Sequence, residues 1–213
     1  LELWGFYRSF ATQSHFVDTR GTSQGVFLTC SVGGGGSDDG KIKFYTNSGN
    51  RIVTASTVPL NSWVHIALVR YSGTTKIYIN GTADSNTYSD TNTYIALDWN
   101  IGKRSPIQTG SYMEGLFSDY RFVNGTAVYT SNFTPPAAPL TAVTNAKLLL
   151  NPETSISDLS QSSTITCFDN TVTSTTQVKF AGTKSIAFDG AGDYLVPSSA
   201  AMNIPASTEF TIE

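Results

Sequence analysis

A glycine-rich acidic loop is the first stretch of this sequence in which backbone and side-chain oxygens could meet a cation. Gly33 to Gly40 reads Gly-Gly-Gly-Gly-Ser-Asp-Asp-Gly, so the carboxylates of Asp38 and Asp39 follow four consecutive glycines and one serine. Hard cations such as calcium prefer oxygen ligands of these kinds. The spacing matches no defined calcium loop, however, and the tip of a mobile hairpin is the simpler interpretation.

Aromatic and short polar side chains are concentrated between Ala83 and Tyr112, and this combination is typical of sugar-binding surfaces on exposed loops. The candidate glycan-binding residues are Trp99, Tyr112, Asp98 and Asn100, with Tyr88 and Tyr94 beside them. Aromatic side chains also dominate the interiors of β-sandwiches. The alternative is therefore that Trp99 and half of these tyrosines are core residues.

Groups suited to covalent or acid–base catalysis are scarce. The sequence has 2 histidines, His15 and His65, and no serine stands in a Gly-x-Ser-x-Gly elbow. His65 lies in an apolar run with no second metal ligand near it in the sequence, so we expect a packed core histidine. The sequence predicts a protein that is not an enzyme.

Composition and charge restrict the class of protein. The chain has 213 residues, of which 39% are hydrophobic and 14% charged, which is enough apolar material for a sizeable core. Low charge with abundant Gly, Ser, Thr, Asn and Tyr is typical of β-rich extracellular or virion proteins. The formal net charge of -3 leaves no basic surface for nucleic acid or an anionic membrane. No apolar run reaches the roughly 18 residues of a membrane span, so we expect neither partner.

The 2 cysteines, Cys30 and Cys167, are too few and too far apart for a disulfide scaffold or a structural zinc site. Each lies in an apolar, strand-like run, where a free cysteine behaves as a small hydrophobic residue. The sequence favours two buried free thiols, and a single bridge between them is the alternative.

The apolar residues recur at a spacing of two, inside short segments separated by Gly, Asn, Asp and Ser clusters, as in β-strands. The predicted strands are Leu1 to Phe10, Gly25 to Val32, Ile42 to Thr46, Arg51 to Ala55, Trp63 to Tyr71, Lys76 to Ile79, Ala96 to Ile101, Gly115 to Val123, Ala146 to Leu150, Thr164 to Phe168, Ser185 to Asp189, Tyr194 to Pro197 and Phe210 to Glu213. This pattern predicts an all-β fold, a two-sheet antiparallel β-sandwich of the jelly-roll type.

One predicted hairpin is especially clear. Its strands, Trp63 to Arg70 and Lys76 to Asn80, are joined by a turn at Ser72 to Thr75. Both alternating sets of positions in the first strand are apolar, as expected of a central strand that is covered on both faces. Asn80 and Gly81 supply the backbone freedom of the next tight turn.

A proline-rich segment, Thr134 to Leu140, is predicted to be an extended connector, because clustered prolines prevent helix formation and favour polyproline geometry. We place the one internal boundary of the chain there. It divides the sequence into residues 1–140 and 141–213.

Several stretches form a recognisable set: Trp63-x-His65-x-Ala67-x-x-Arg70, Lys76-Ile-Tyr-Ile-Asn-Gly81, Ile101-Gly102 and Gly115-Leu-Phe-Ser-Asp-Tyr-Arg-Phe122. Together they resemble the laminin-G-like, concanavalin A-like jelly roll. The stretches that follow, Asn124-Gly-Thr-Ala-Val-Tyr129 and Asn132-Phe-Thr-Pro-Pro136, are similar to laminin-G-like modules repeated in phage and cyanophage virion proteins and in some bacterial surface proteins. The resemblance implies the same two-sheet sandwich.

The resemblance also implies a candidate calcium site. Laminin-G-like modules often bind calcium at one rim of the sandwich through acidic side chains and backbone oxygens. The candidate ligands here are Asp189 and Asp193, in Phe188-Asp-Gly-Ala-Gly-Asp-Tyr194. The alternative is that Asp189 and Gly190 simply form the turn between two strands.

No catalytic pair of carboxylates follows from the resemblance, although concanavalin A-like folds include glucanases. Retaining glycosidases need two carboxylates about 5 to 5.5 Å apart, which in this fold come from a Glu-x-Asp-x-Glu strand motif. The nearest string, Glu209-Phe-Thr-Ile-Glu213, lacks the middle aspartate. A glycosidase is therefore the least favoured function.

The order of the resembling segments is rotated. The stretch from Leu148 to Glu213 resembles the start of such a module, and the stretch from Leu1 to Leu140 resembles its remainder. Ile212-Glu213 and Leu1-Glu2 look like the same two positions, which implies a repeat two residues shorter than the chain. The sequence leaves three arrangements open: one unit of a tandem array, a circular permutant closed within the chain, or completion of a neighbouring chain.

These observations together predict a non-catalytic structural and adhesive module at an extracellular or virion surface. Its expected partners are copies of itself, linked head to tail, and a cell-surface glycan. A discrete calcium-dependent lectin that binds sugar as a closed monomer is the alternative. Truncation of Trp99 and Tyr112 separates the two hypotheses. Loss of sugar binding at unchanged thermal stability would support the lectin, whereas unfolding would show that these residues belong to the core.

Overall fold

The structure, a computed structural model, describes residues 2–20, 29–34, 36–46, 49–95, 98–104, 110–153, 155–198 and 202–212. Within these ranges the strands are β1 (Glu2–Tyr7), β2 (Ser14–Asp18), β3 (Thr29–Val32), β4 (Lys41–Thr46), β5 (Gly49–Thr57), β6 (Trp63–Tyr71), β7 (Thr74–Ile79), β8 (Thr82–Ser89), β9 (Glu114–Asn124), β10 (Ala146–Leu150), β11 (Ile165–Phe168), β12 (Val172–Ser174), β13 (Ser185–Asp189), β14 (Tyr194–Pro197) and β15 (Phe210–Ile212). A single 3-10 turn spans Gly36–Asp38 in this part of the chain. The predicted all-β fold is confirmed.

The larger sheet has nine antiparallel strands. Its order is β12-β13-β9-β1-β6-β7-β8, with β10 also paired to β9. The short strand β15 pairs with both β6 and β9, which are the two neighbours of β1. β1 and β15 therefore occupy one strand position between the same two partners.

The smaller sheet has the order β2-β3-β4-β5 and is extended by a short bridging segment. Asn100 donates its backbone N–H to Asp18 on β2 at 2.9 Å, and Ile101 exchanges backbone hydrogen bonds with Leu195 on β14 at 2.9 and 3.0 Å. β14 in turn pairs with β11. The strands after residue 140 thus contribute to both sheets of one sandwich.

The core lies between the two sheets, where the alternating inward side chains of both sheets meet. The larger sheet contributes fully buried residues that include Leu3, Ile66, Leu68, Phe117, Phe122, Leu148, Ile186 and Phe188. The smaller sheet and its extension contribute Phe16, Cys30, Val32, Ile42, Phe44, Trp99, Ile101 and Leu195. These residues belong to one continuous apolar cluster.

The central strand β6 is buried on both faces, as its sequence predicted. Its outward-facing Ala67 and Val69 form a second apolar cluster with Tyr78, against which Tyr129 and Phe133 pack. The segment between β9 and β10 therefore covers the outer face of the larger sheet. Its proline-rich part contains neither helix nor strand, in agreement with an extended connector.

Both predicted hairpin turns are present, but the first is shorter than predicted, because Thr74 and Thr75 already belong to β7. Ser72 and Gly73 have φ values of 47° and 71°, and Asn80 and Gly81 have φ values of 49° and 78°. Consecutive positive φ values are the signature of the turn type that matches the twist of a hairpin.

Three strands differ from the sequence analysis, which gave no strand at β2, β8 or β12. The clearest example is β8, Thr-Ala-Asp-Ser-Asn-Thr-Tyr-Ser, a polar edge strand that pairs with β7 across the tight turn. Thr82, Thr87 and Tyr88 favour a strand, but Asp84 and Asn86 between them do not, so the strand depends on its pairing with β7. The described part of the predicted strand Ala96 to Ile101 forms only isolated bridges, at Asn100 and Ile101.

Some predicted strands lie partly outside the described residues. These parts are Leu1, Gly25 to Leu28, Ala96 to Leu97 and Glu213. The expected equivalence of Leu1-Glu2 with Ile212-Glu213 rests partly on them. Among the described residues, Ile212 lies opposite Leu68 and Glu2 lies opposite Ala67, so β15 and β1 follow one another along β6.

Both cysteines are free, as expected, but only one is buried. Cys30 faces the core, where burial raises the pKa of its thiol above the usual range. Cys167 is exposed, and the expectation that it is buried was wrong. The reason is that β11 is the outermost strand of the extended smaller sheet and exposes three of its four residues.

Candidate ligand-binding cleft

Trp99 and Asn100, two of the four glycan candidates, are interior residues and not exposed on a loop. Trp99 is 0% exposed, and its indole N–H donates to the Tyr120 hydroxyl at 3.2 Å. Its ring centroid lies 4.8 Å from that of Phe122. Asn100 is buried because it extends the smaller sheet beside Asp18. The core alternative for Trp99 is therefore the one that the structure supports.

Tyr112 and Asp98 remain partly exposed and both lie near Lys103. Tyr112 forms a backbone bridge with Lys103, and the negative charge of Asp98 acts on the same ammonium group. The Lys103 ammonium sits 3.4 Å from the ring centroid of Tyr194, which stacks on Phe168 at 4.2 Å. These residues form a partly exposed aromatic patch, and a glycan role for Tyr112 and Asp98 stays a prediction.

Asp189 and Asp193 are brought together by the turn between β13 and β14. Asp193 is 2% exposed, and its carboxylate accepts hydrogen bonds from the Asp189 N–H at 2.9 Å and from the Thr171 hydroxyl at 3.3 Å. Asp189 in turn accepts a bond from the Ala191 N–H at 2.8 Å. Burial raises the pKa of Asp193. The two carboxylates thus stabilise the turn.

Calcium binding at this turn is not supported by an additional ligand. Across the described ranges, no group of three or more His, Cys, Asp or Glu side chains is arranged to hold a metal ion. Calcium at Asp189 and Asp193 therefore stays a prediction, and the turn role is the observed one.

The acidic glycine-rich loop is also engaged within the protein. The Asp38 carboxylate forms an ion pair with the Lys43 ammonium at 2.9 Å, and it lies 3.7 Å from the Lys41 ammonium. Lys43 lowers the pKa of the Asp38 carboxyl below its usual value. This contact anchors the loop to β4. Asp39 is exposed, and Gly35 lies outside the described residues.

A polar cleft that the sequence analysis missed lies on the outer face of the smaller sheet. Its volume is about 230 Å³. We call it the polar cleft. The described residues that line it are Gln13, His15, Arg20, Thr29, Ser31, Lys43, Tyr45, Asn50 and Arg104. They come from four strands or their ends, together with Arg104 just after the bridging segment, so no single motif contains them.

The strand register explains why these side chains share one face. Ser31 lies opposite His15 on one side and opposite Lys43 on the other. The neighbouring pair, Cys30 and Phe44, faces the core. Because successive residues of a strand point to opposite faces, the side chains of His15, Ser31 and Lys43 face away from the core.

Two of the three cations in the polar cleft have carboxylate partners. Arg20 donates from its Nε to both carboxylate oxygens of buried Asp18, at 2.9 and 3.0 Å. Lys43 is paired with Asp38. Arg104 forms no ion pair or side-chain hydrogen bond with any described residue. Burial and the nearby charge of Arg20 lower the pKa of Arg104.

His15 is the most deeply buried titratable group of the cleft. It is 1% exposed, and burial lowers its pKa to about 4, so the imidazole is neutral at neutral pH. Its Nδ1 has no hydrogen-bond partner among the described residues. A neutral imidazole offers one donor and one acceptor nitrogen.

A second polar cluster lies beneath the segment that covers the larger sheet. One carboxylate oxygen of Glu2 contacts His65 Nε2 and accepts a bond from the Tyr129 hydroxyl at 2.9 Å, while the other lies 3.3 Å from the Arg121 guanidinium. Glu2 and His65 are both 0% exposed, so this cluster is closed to solvent. The expected core role of His65 is confirmed, with a partner that its spacing did not reveal.

The comparisons with known proteins agree with this architecture. The chain matches the family model Laminin_G_3, described as the concanavalin A-like lectin/glucanases superfamily, over residues 1–128. That range covers β1 to β9 and more than half of the chain. No curated protein and no solved structure matches the chain.

In the part of the chain that the structure describes, none of the helical segments has the length and apolar character needed to cross a bilayer. Laminin-G-like modules are typically extracellular. From the family match and the two-sheet fold, the chain belongs to the Laminin_G_3 family of the concanavalin A-like lectin/glucanase superfamily.

Proposed function

We propose that this protein is a non-catalytic structural and adhesive module of an extracellular or virion appendage. It assembles head to tail with its neighbours and presents its loops to a glycan or another cell-surface partner. Membership in a superfamily of lectins and glucanases supports the adhesive part, and the scarcity of histidine and serine motifs supports the non-catalytic part. The assembly part rests on the position of β15.

The observation that carries the assembly is the shared strand position of β1 and β15. Thr211 lies opposite Val69 on β6 and opposite Val123 on β9, two residues beyond the partners of Glu2, where β1 begins. The hydrogen bonds that pair β15 with β6 and β9 use only backbone groups. The β15 strand of another copy can therefore pair with β6 and β9 in the same way. An exchange between copies preserves every pairing while linking one sandwich to the next.

Such an exchange is heterologous, because the surface that accepts β15 differs from the segment that is donated. Heterologous contacts that do not close into a ring propagate into filaments. The donated part, residues 141–213, carries its own apolar side chains, among them Ile186 and Phe188, which are buried against β9 and its neighbours. A neighbouring sandwich supplies the same surface.

A cysteine pair across β9 and β13 tests the assembly. Glu114 and Asp189 are exposed and lie directly opposite one another. The variant combines Glu114→Cys, Asp189→Cys and Cys167→Ser, and it is oxidised over a range of protein concentrations. Head-to-tail exchange gives a ladder of covalent oligomers on non-reducing gels. Closure within the chain gives a single cross-linked monomer band at every concentration.

The matched control places cysteines at Lys76 and Thr87, which lie opposite each other on β7 and β8. Both strands belong to the same hairpin, so this pair cross-links within one chain whatever the assembly. Negative-stain electron microscopy of the unmodified protein provides an independent readout. Rods with a regular axial repeat support the proposal, whereas compact single particles contradict assembly and favour the lectin alternative.

A further inference from the structure

We propose that the polar cleft binds the carboxylate of a single acidic sugar residue, a hexuronic acid or a close chemical equivalent, with the Arg104 guanidinium as its main contact. This inference deepens the adhesive role proposed above and rests on it. It names the ligand class that the role requires, and it is independent of whether copies assemble.

The charge balance of the cleft is the first support. Arg20 is held by Asp18 and Lys43 by Asp38, whereas Arg104 pairs with no carboxylate among the described residues. The nearest opposite charge that acts on Arg104 is the Asp18 carboxylate, whose two oxygens are already bonded to Arg20, so Arg20 and Arg104 share one carboxylate. A bound anion supplies the missing negative charge. The planar fork of arginine matches a carboxylate in a bidentate way.

His15 is the second and independent support. The side chain lines the cleft and is 1% exposed, and its Nδ1 forms no well-aligned hydrogen bond in the described structure, with the Gln13 backbone as its nearest polar neighbour. Buried polar atoms nearly always have a hydrogen-bond partner, so an unpaired one beside a cavity points to a missing ligand or water. The neutral imidazole can donate to a carboxylate or accept from a sugar hydroxyl.

The size and lining of the cleft select a small polar ligand. A volume of about 230 Å³ lies below the range of about 300–1,000 Å³ for drug-sized ligands, so the cleft itself holds one sugar ring and any longer chain extends into solvent. Ser31 and Asn50 add hydroxyl and amide groups, and Tyr45 adds an aromatic ring.

Binding is tested on the full chain by NMR titration with galacturonic acid, with galactose and with sulfate. Galacturonic acid is expected to shift amide resonances of β2 and β3 and to bind at least tenfold more tightly than galactose, which lacks the carboxylate. Arg104→Gln is expected to lower the affinity for galacturonic acid at least tenfold, and Arg104→Lys to lower it less. Lys76→Gln, on the other sheet, is the control and leaves the affinity unchanged.

Three results would overturn the inference. They are equal binding of galactose and galacturonic acid, unchanged affinity in a folded Arg104→Gln variant, and sulfate binding as tight as that of galacturonic acid, which would indicate a simple anion site. The cross-linking ladder separates this outcome from the proposed function. A ladder without uronate binding removes only the ligand assignment, and uronate binding without a ladder removes only the assembly.

Discussion

The Arg70 guanidinium on β6 donates a hydrogen bond from Nη2 to the backbone carbonyl oxygen of Pro205 at 2.8 Å. Its Nε also donates to the carbonyl oxygen of Thr208 at 2.8 Å. The guanidinium carbon Cζ lies over the Phe210 ring, 4.8 Å from its centroid. The same side chain is paired with Asp90. One arginine thus fixes the segment that leads into β15 onto the central strand.

Replacement of Arg70 by lysine is expected to destabilise the protein by about 3–5 kcal/mol, because a single ammonium cannot replace a buried, multiply bonded guanidinium. The measurement is the free energy of unfolding in urea. The control is Arg51→Lys, at an exposed position on β5, where a change within about 0.5 kcal/mol is expected. Equal stability of the two variants would refute the anchoring role of Arg70.

Gly81 and Gly73 form a matched pair for the covering segment. Both have positive φ values, 78° and 71°, so alanine strains each by about 1–2 kcal/mol. At Gly81 the added Cβ would also lie 1.9 Å from the carbonyl oxygen of Phe133, whereas at Gly73 it meets nothing within 4 Å. Gly81→Ala is therefore expected to be much more destabilising in thermal unfolding. Similar melting temperatures would show that the covering segment is not docked at Phe133.

Truncation of the two aromatic glycan candidates is expected to give opposite results. Trp99→Ala removes a fully buried ring and costs about 3–5 kcal/mol, whereas Tyr112→Ala, at a partly exposed position, changes stability little. Thermal melting followed by near-ultraviolet circular dichroism measures both. A stable Trp99→Ala protein with selective loss of sugar binding would reverse the assignment of Trp99 to the core.

The stability of the protein is expected to fall as the pH drops from about 6.5 toward 4, and His15 contributes to this fall. Its pKa is lowered to about 4 in the folded state, so in this window the unfolded chain binds the proton and the folded chain does not. The stabilisation is fully present above the unfolded pKa and lost as the pH approaches the folded one. At about 1.4 kcal/mol per unit, the contribution is on the order of 3 kcal/mol.

Replacing His15 by glutamine, which does not titrate, separates the contribution of His15 to the pH dependence of stability from that of the carboxylates. Urea unfolding of the parent protein and of His15→Gln at pH 7 and pH 4.5 gives the pH dependence of each. The parent is expected to lose more stability than the variant. An identical loss in both proteins would mean that His15 is accessible to protons in the folded state.

The alternation of apolar residues was enough to predict the fold class and the burial of β6. The burial of β6 could be predicted because the residues that point to both of its faces, between Val64 and Val69, are apolar. This property is visible in the sequence without knowledge of the neighbouring strands. The turns at Gly73 and Gly81 were equally local. The polar edge strand β8 was missed, since its formation depends on pairing with β7 and not on its own side chains.

The amino-acid sequence by itself determined the all-β sandwich, the hairpin turns and the family resemblance, because periodicity and turn residues act over a few positions. Only the tertiary structure decided that Trp99 is core, that Cys167 is exposed and that Arg104 and His15 meet in one cleft. It also decided that β15 adjoins β1 between β6 and β9. These relationships join residues far apart in the chain, and they arise from strand register and sheet order, which no local pattern encodes.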